Sequence, residues 1–406
     1  MISSRTFRCS LLAMLMIAIG ATAAADPVIV ENGDSPAEGL QTVDLTELWR
    51  AGGEDDEIFF GNISAVRTDS DGMIYMLDSQ LSEVHVYSPD GEHLRTVGRE
   101  GDGPGEVRGS ADLFISDDGT INILQSMPGR IVKLTPDGLP AGEAFFGTGP
   151  DNPRQFGVMV LGRSAGSDIV LAGIRMVFSG GVNRQTYFLA RCDSQAIQKS
   201  VLSEKVHEVN MADFKLDELE MDFVWSRLAV GGDGKVYAGV ARNEYRIEVY
   251  GDDSSLEKTI TRAYSAPKRN EQQREIARQI VAAIGANYPD PPREVTIEDT
   301  EPVLANINVT ADGRIWTQTS LGNSDGPDGA WVVMDVFDPD GKFEKQVALR
   351  GGHDPRRDAV YILPDERVVV VAGALDAWLN QQGVSGDDEA AVENEPLEVF
   401  CYRMEP

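Results

Sequence analysis

Short apolar runs, each introduced by a tight-turn signal, recur along nearly the whole chain. Asp71-Gly72 leads into Met73-Ile74-Tyr75-Met76-Leu77, and Asp118-Gly119 into Thr120-Ile121-Asn122-Ile123-Leu124. Asp233-Gly234 precedes Lys235-Val236-Tyr237-Ala238, and Asp312-Gly313 precedes Arg314-Ile315-Trp316-Thr317. Two weaker members complete the series: Gly166-Ser167-Asp168 before Ile169-Val170-Leu171, and Pro364-Asp365-Glu366 before Arg367-Val368-Val369-Val370-Val371. Runs of this length, rich in β-branched and aromatic residues, predict strands. Asp-Gly suits the bend before each one, because hairpin turns of type I′ need positive φ, which glycine adopts freely.

A second hairpin follows inside each unit. Val84-His85-Val86-Tyr87 runs into Pro89-Asp90-Gly91, Ile131-Val132-Lys133-Leu134 into Pro136-Asp137-Gly138, and Val333–Phe337 into Pro339-Asp340-Gly341. Gly251-Asp252 and Asp193-Ser194 hold the matching places in the fourth and third units. Each unit is therefore four antiparallel strands, and the first two intervals, 47 and 48 residues, match one propeller blade. The expected fold is all-β: a six-bladed β-propeller over residues 42–406. The last unit is one strand short, since only Leu397–Tyr402 follows its second strand. The alternating segment Val43–Trp49 is the expected outer strand that closes the ring and leaves no edge unpaired. Residues 26–41 precede it as an N-terminal extension.

The segment Val97-Gly98-Arg99-Glu100-Gly101-Asp102-Gly103-Pro104-Gly105-Glu106 resembles the G-x-x-G-x-G-P-G-E/Q connector of NHL-type propellers. With Tyr288-Pro289 and Ala311-Asp312-Gly313-Arg314-Ile315-Trp316, it makes the chain similar to bacterial secreted six-bladed propellers of unknown function. The resemblance implies the fold and brings no catalytic residue with it.

Excess length falls on one side of the predicted ring. Turns within blades are two or three residues long, whereas residues 203–224, 262–303, 318–331 and 374–396 are long insertions between second and third strands or between blades. Elaboration of one face of a rigid scaffold is a common way to build a binding site, and neutral insertion at permissive positions is the plainer explanation. One insertion, residues 268–284, carries a helical pattern with Ile276, Ile280 and Ile284 on one stripe and Gly285 as a stop. It is read as a helix packed on that face or, alternatively, a lid over the pocket.

Charge and the N-terminus narrow the setting. Arg5 and Arg8 precede an apolar run, Leu11 to Ile19, and Ala21–Ala25 are small, the pattern of a cleaved signal peptide over residues 1–25. The expected location is the periplasm or the medium, with no membrane insertion after cleavage. Loss of Arg5 and Arg8, with no acid, moves the net charge from −30 to about −32. Such a field disfavours nucleic acid as a partner. Cys192 and Cys401 remain; blade counting puts them on opposite sides of a six-membered ring, too far apart to bond to each other.

The starts of the innermost strands should ring the channel mouth, which nominates Arg108, Arg154, Trp225, Asn306, His353, Arg356 and Arg357. Arginines there suit a carboxylate or phosphate, or else pair with neighbours such as Glu106 or Asp354. No G-x-S-x-G, P-loop or H-E-x-x-H motif is present. Histidines are too few on that face for a three-histidine zinc centre. A calcium site is chemically open, with Glu106 and Asn306 as two ligands. Two functions remain in view: a non-enzymatic module presenting its loop face and channel to a peptide, glycan or protein partner, or a calcium-dependent hydrolase, lactonase-like enzyme or lyase acting in the channel.

Overall fold

The computed structural model describes residues 26–54, 56–149, 151–152, 154–319, 327, 329–383 and 396–405; the expected signal peptide lies outside them. Strands β1 (Val28–Asn32) and β2 (Leu40–Gly52) precede the ring. Blade 1 is β3–β6 (Ile63–Thr68, Ile74–Asp78, Glu83–Tyr87, His93–Val97) and blade 2 is β7–β10 (Ser110–Ile115, Ile121–Gln125, Arg130–Leu134, Pro140–Ala144). Blade 3 is β11–β14 (Gly157–Ala165, Asp168–Ser179, Val182–Cys192, Gln198–Asn210). A short strand, β15 (Lys215–Asp217), and helix α1 (Glu218–Met221) lead to blade 4, β16–β19 (Leu228–Val230, Val236–Ala238, Arg246–Tyr250, Leu256–Arg262). Helix α2 (Glu271–Gly285) and strand β20 (Glu294–Thr296) precede blade 5, β21–β24 (Leu304–Val309, Ile315–Thr319, Ala330–Phe337, Phe343–Arg350). Blade 6 is β25 (Ala359–Ile362), β26 (Val368–Ala372) and β27 (Glu398–Glu405), with helix α3 (Ala374–Gln381) between the last two.

The ring closes through the N-terminal strand. Leu45 pairs with Met404 and Arg50 with Phe400, so β2 is the fourth strand of blade 6. Six apolar clusters then fill the six junctions between neighbouring blades, including blade 6 against blade 1. Such packing explains why the second strands are buried on both faces and mostly apolar rather than alternating. In β26, Val368 and Val370 face blade 5 while Val369 and Val371 face blade 1. A strand buried on both faces has no solvent side on which to place polar residues.

Basic side chains tie successive blades at their turns. Arg95 donates to Pro136 O, Lys133 to Ser194 O, Arg191 to Gly251 O, Lys258 to Pro339 O and Arg367 to Pro89 O. Each satisfies a turn carbonyl that has no strand partner. The weak sixth turn works because Glu366 adopts φ +65°, the role glycine plays at Gly72 and Gly119.

Residues 26–41 do more than precede the propeller. Strand β1 runs parallel to β19 on the rim of blade 4, and Leu40–Asp44 runs parallel to β24 on blade 5 before β2 joins blade 6. One segment thus belts three blades. Asn32 fastens it: Nδ2 donates to Thr261 O and Gly341 O, and Oδ1 accepts from Phe343 N.

Candidate functional site

The insertions form a layer on one face. The β12–β13 hairpin extends beyond its blade and turns at Gly180-Gly181, so residues 203–210, expected as loop, continue β14. Beside it, β15 and β20 pair in parallel, joining the connector before blade 4 to the one before blade 5. Val209, Phe214, Leu216 and Val281 form an apolar cluster beneath them. The expected helix begins at Glu271, where Asn270 and Gln273 make a capping box. Its buried stripe is Gln273, Ala277 and Val281, not Ile276, Ile280 and Ile284, which are half-buried. The shift arises because the helix is wedged between the Leu216 cluster and α3, so tertiary neighbours on two sides choose the inward face. Asn287 Nδ2 donates to Gln382 Oε1, and Gln381 Oε1 accepts from Asn62 and Ser79 of blade 1. Residues 320–326, 328 and 384–395 of the other insertions lie outside the described residues.

Glu218 clamps this layer. Its carboxylate accepts from Arg269 Nη1 (2.7 Å), Arg269 Nη2 (2.8 Å), Arg242 Nη2 (2.7 Å) and Glu298 N (2.9 Å). Glu301 also pairs with Arg269 at 2.9 Å. Burial by itself would raise the Glu218 pKa, but the two guanidinium groups and the N–H outweigh it and hold the group below the usual carboxylate range.

Where the layer meets blades 2 and 3, aromatic side chains face solvent. Phe156 and Phe178 are 54% and 59% exposed, with ring centroids 6.4 Å apart. Met176 N donates to Phe156 O and sets the spacing. Nearby Arg154 lies 4.0 Å over the Phe145 ring and has no carboxylate partner among the described residues.

Inside the ring, three charged side chains from three inner strands meet. Asp112 (β7) accepts from Arg67 Nη2 (β3) and from Arg163 Nη1 (β11), both at 2.5 Å. Gly162 N (3.0 Å) and Leu113 N (2.9 Å) complete the carboxylate's set. Tyr361 of β25 approaches the same group from blade 6, its hydroxyl 3.5 Å from Ser64 O. Burial, with the neighbouring Arg67 charge, pushes Arg163 down to about 10.

The residues nominated from sequence are placed as follows. Arg108 bonds Asp102 (3.1 Å) and Glu100 (3.0 Å), an exposed pairing within its own connector. Glu106 accepts from Arg99 and Gly103 N. Trp225 donates to Met221 O and packs on Tyr187 and Phe223. Asn306 is engaged by Gln318 on both amide atoms. His353 is half-buried, with Nε2 2.8 Å from Tyr402 OH and Nδ1 3.3 Å from Asp358. Arg356 N donates to Asp354, and Arg357 pairs with Asp376. Among the described residues no hydrogen bond, ion pair or ring contact joins any two of Arg108, Arg154, Trp225, Asn306 and His353. Nor does any group of three or more His, Cys, Asp or Glu converge there as a metal shell would. Arg67, Asp112, Arg163, Phe156 and Phe178 were not singled out by the sequence. Ionisable residues inside apolar inner strands, as in Ser-Ala-Val-Arg67 and Ala-Asp112-Leu-Phe, were the available signal.

Similarity to known proteins concerns the fold. Virginiamycin B lyase from Staphylococcus aureus is similar at 10% identity, with 87% of this chain and 98% of that one covered and a TM-score of 0.41. Regucalcin, a calcium-binding protein from Agrobacterium tumefaciens, is similar at 12% identity, 89% and 96% coverage and a TM-score of 0.40. A duf4221 family member from Bacteroides vulgatus is similar at 11% identity, 89% and 98% coverage and a TM-score of 0.46. No curated protein matches the chain by sequence. Residues 54–140, the first two blades, match the family DUF5128, described as a 6-bladed beta-propeller, and the described residues fold as a six-bladed β-propeller.

Proposed function

We propose that this propeller is an exported binding module whose elaborated face takes a peptide, glycan or protein partner. The observation that carries the reading is the solvent-facing pair Phe156 and Phe178 beside Arg154. Large aromatic rings left in water on a rigid platform lose little entropy on docking, and they offer both apolar contact and a stacking face to a sugar or side chain. A guanidinium resting on a ring, without a carboxylate of its own, adds a directed donor for an acidic group. The layer of hairpin and helices on the same face is held by buried ion pairs, as a preformed site requires.

The test uses residues 26–406 on glycan and peptide arrays. The native protein is expected to give reproducible signals that Phe156→Ser/Phe178→Ser loses while its melting temperature stays within about 2 °C. Signals unchanged in the double variant, or absent from the native protein, overturn the reading. Export is tested by the mass of the protein recovered outside the cytoplasm, expected to begin at Asp26.

A further inference from the structure

We infer that the Arg67–Asp112–Arg163 group inside the ring is a separate binding site for one small carboxylate monoanion. Two guanidinium groups share a single carboxylate there, so the group carries one net positive charge within a chain of net charge −30. Asp112 has no capacity left, because its two oxygens already accept four donors.

Donors, by contrast, are in surplus. Arg163 Nη1 bonds Asp112 and Gly162 O, while its Nε and Nη2 meet no acceptor among the described residues and stay accessible. The Arg67 and Arg163 side chains are 18% and 17% exposed, although both lie on inner strands. Arg67 Nε, Ser64 Oγ and Ser164 Oγ are buried without a partner among the described residues. An excess positive charge on two side chains less than one fifth exposed, with Arg67 Nε and the Arg163 edge unmet among the described residues, favours a bound anion. One net charge matches a monoanion, and the planar N–H edge of Arg163 matches the two oxygens of a carboxylate.

Such a carboxylate could belong to a free small acid or to the C-terminus of a chain, and titration separates the two. Residues 26–406 are titrated calorimetrically at constant ionic strength with acetate, with a tripeptide bearing a free C-terminus, and with the same tripeptide amidated. Saturable one-to-one binding in the millimolar range is expected for acetate or the free-acid peptide but not for the amide. Arg163→Gln is expected to weaken it about tenfold or more. Arg163→Lys keeps the counter-charge for Asp112 if the glutamine variant does not fold, and is expected to weaken binding by losing the planar fork. Absence of saturable carboxylate binding to the native protein, equal binding of acid and amide, or affinity unchanged in a folded Arg163 variant overturns the assignment.

Discussion

His85 illustrates how a single polar residue is tolerated in a junction between blades. It is 4% exposed on β5, its ring sits edge-on to Phe60, and Nδ1 lies 3.1 Å from Thr96 Oγ1, while Nε2 has no partner among the described residues. Burial lowers its pKa to about 4. A base whose folded pKa is depressed binds fewer protons folded than unfolded between the two values, so stability falls as pH drops from about 6.5 to about 4. The expected loss from this group is about 3 kcal/mol across that window. Urea unfolding at pH 7 and pH 4 should show that His85→Gln lacks this part of the decline. Gly91 makes a steric counterpart. It has φ +89°, and a Cβ there would press into the Trp49 ring, whose Nε1 donates to Pro89 O at 3.2 Å. Gly91→Ala is therefore expected to cost about 2–4 kcal/mol in denaturant unfolding, combining left-handed strain with overpacking. The glycine was legible in the sequence as a turn residue. Its contact with Trp49 was not, because 42 positions separate them and only ring closure brings them together.

At the scale of elements, the strands and the inserted helix follow from pattern, whereas what they face does not. The α2 register shows the difference: the isoleucine stripe satisfies a helical period, yet Ala277 and Val281 are the buried positions. Glu218 is decisive for how this layer stays in place, since it gathers Arg242 and Arg269, which are 1% and 4% exposed. Glu218→Gln leaves buried Arg242 without a carboxylate and Arg269 with Glu301 alone, and is expected to cost about 3–5 kcal/mol. Because the contacts are confined to the connectors around blade 4, hydrogen exchange should rise first in residues 263–303 and much less in β3–β5. The depressed Glu218 pKa gives a linked expectation. A carboxylate with a lowered folded pKa stabilises above its unfolded value and loses that contribution as pH falls through the folded one. Protection of the layer should accordingly fade as pH falls below the ordinary glutamate range.

For the whole molecule, closure is the controlling feature. Deleting residues 26–39 removes β1 and the Asn32 hydrogen bonds but leaves the pairing of β2 with β27, so the ring should survive with a lower melting temperature. Deleting residues 26–52 strips blade 6 of its fourth strand and exposes the edge of β27, and should yield aggregated or unfolded protein by size exclusion and circular dichroism. Closure also governs the thiols. Cys192 and Cys401 are both free and buried, in blades 3 and 6. Burial pushes both pKa values up, that of Cys401 to about 11. Maleimide labelling of residues 26–406 should add nothing to the native protein and two groups after unfolding in urea without reductant.

The blade count, the two turns in each of the first five blades, the closing strand and the face bearing the insertions were all determined by the sequence. Each rests on short-range signals: short apolar runs, positive-φ turn residues and segment length. Only the tertiary structure decided that residues 26–41 belt blades 4 and 5, that α2 buries Ala277 and Val281, and that Asp112 meets Arg67 and Arg163. Those outcomes depend on which distant strands become neighbours once the ring shuts. A charged residue on an inner strand reads the same in sequence whether it faces water, a mate or a ligand, and its partners are set by the curvature of six blades around one axis.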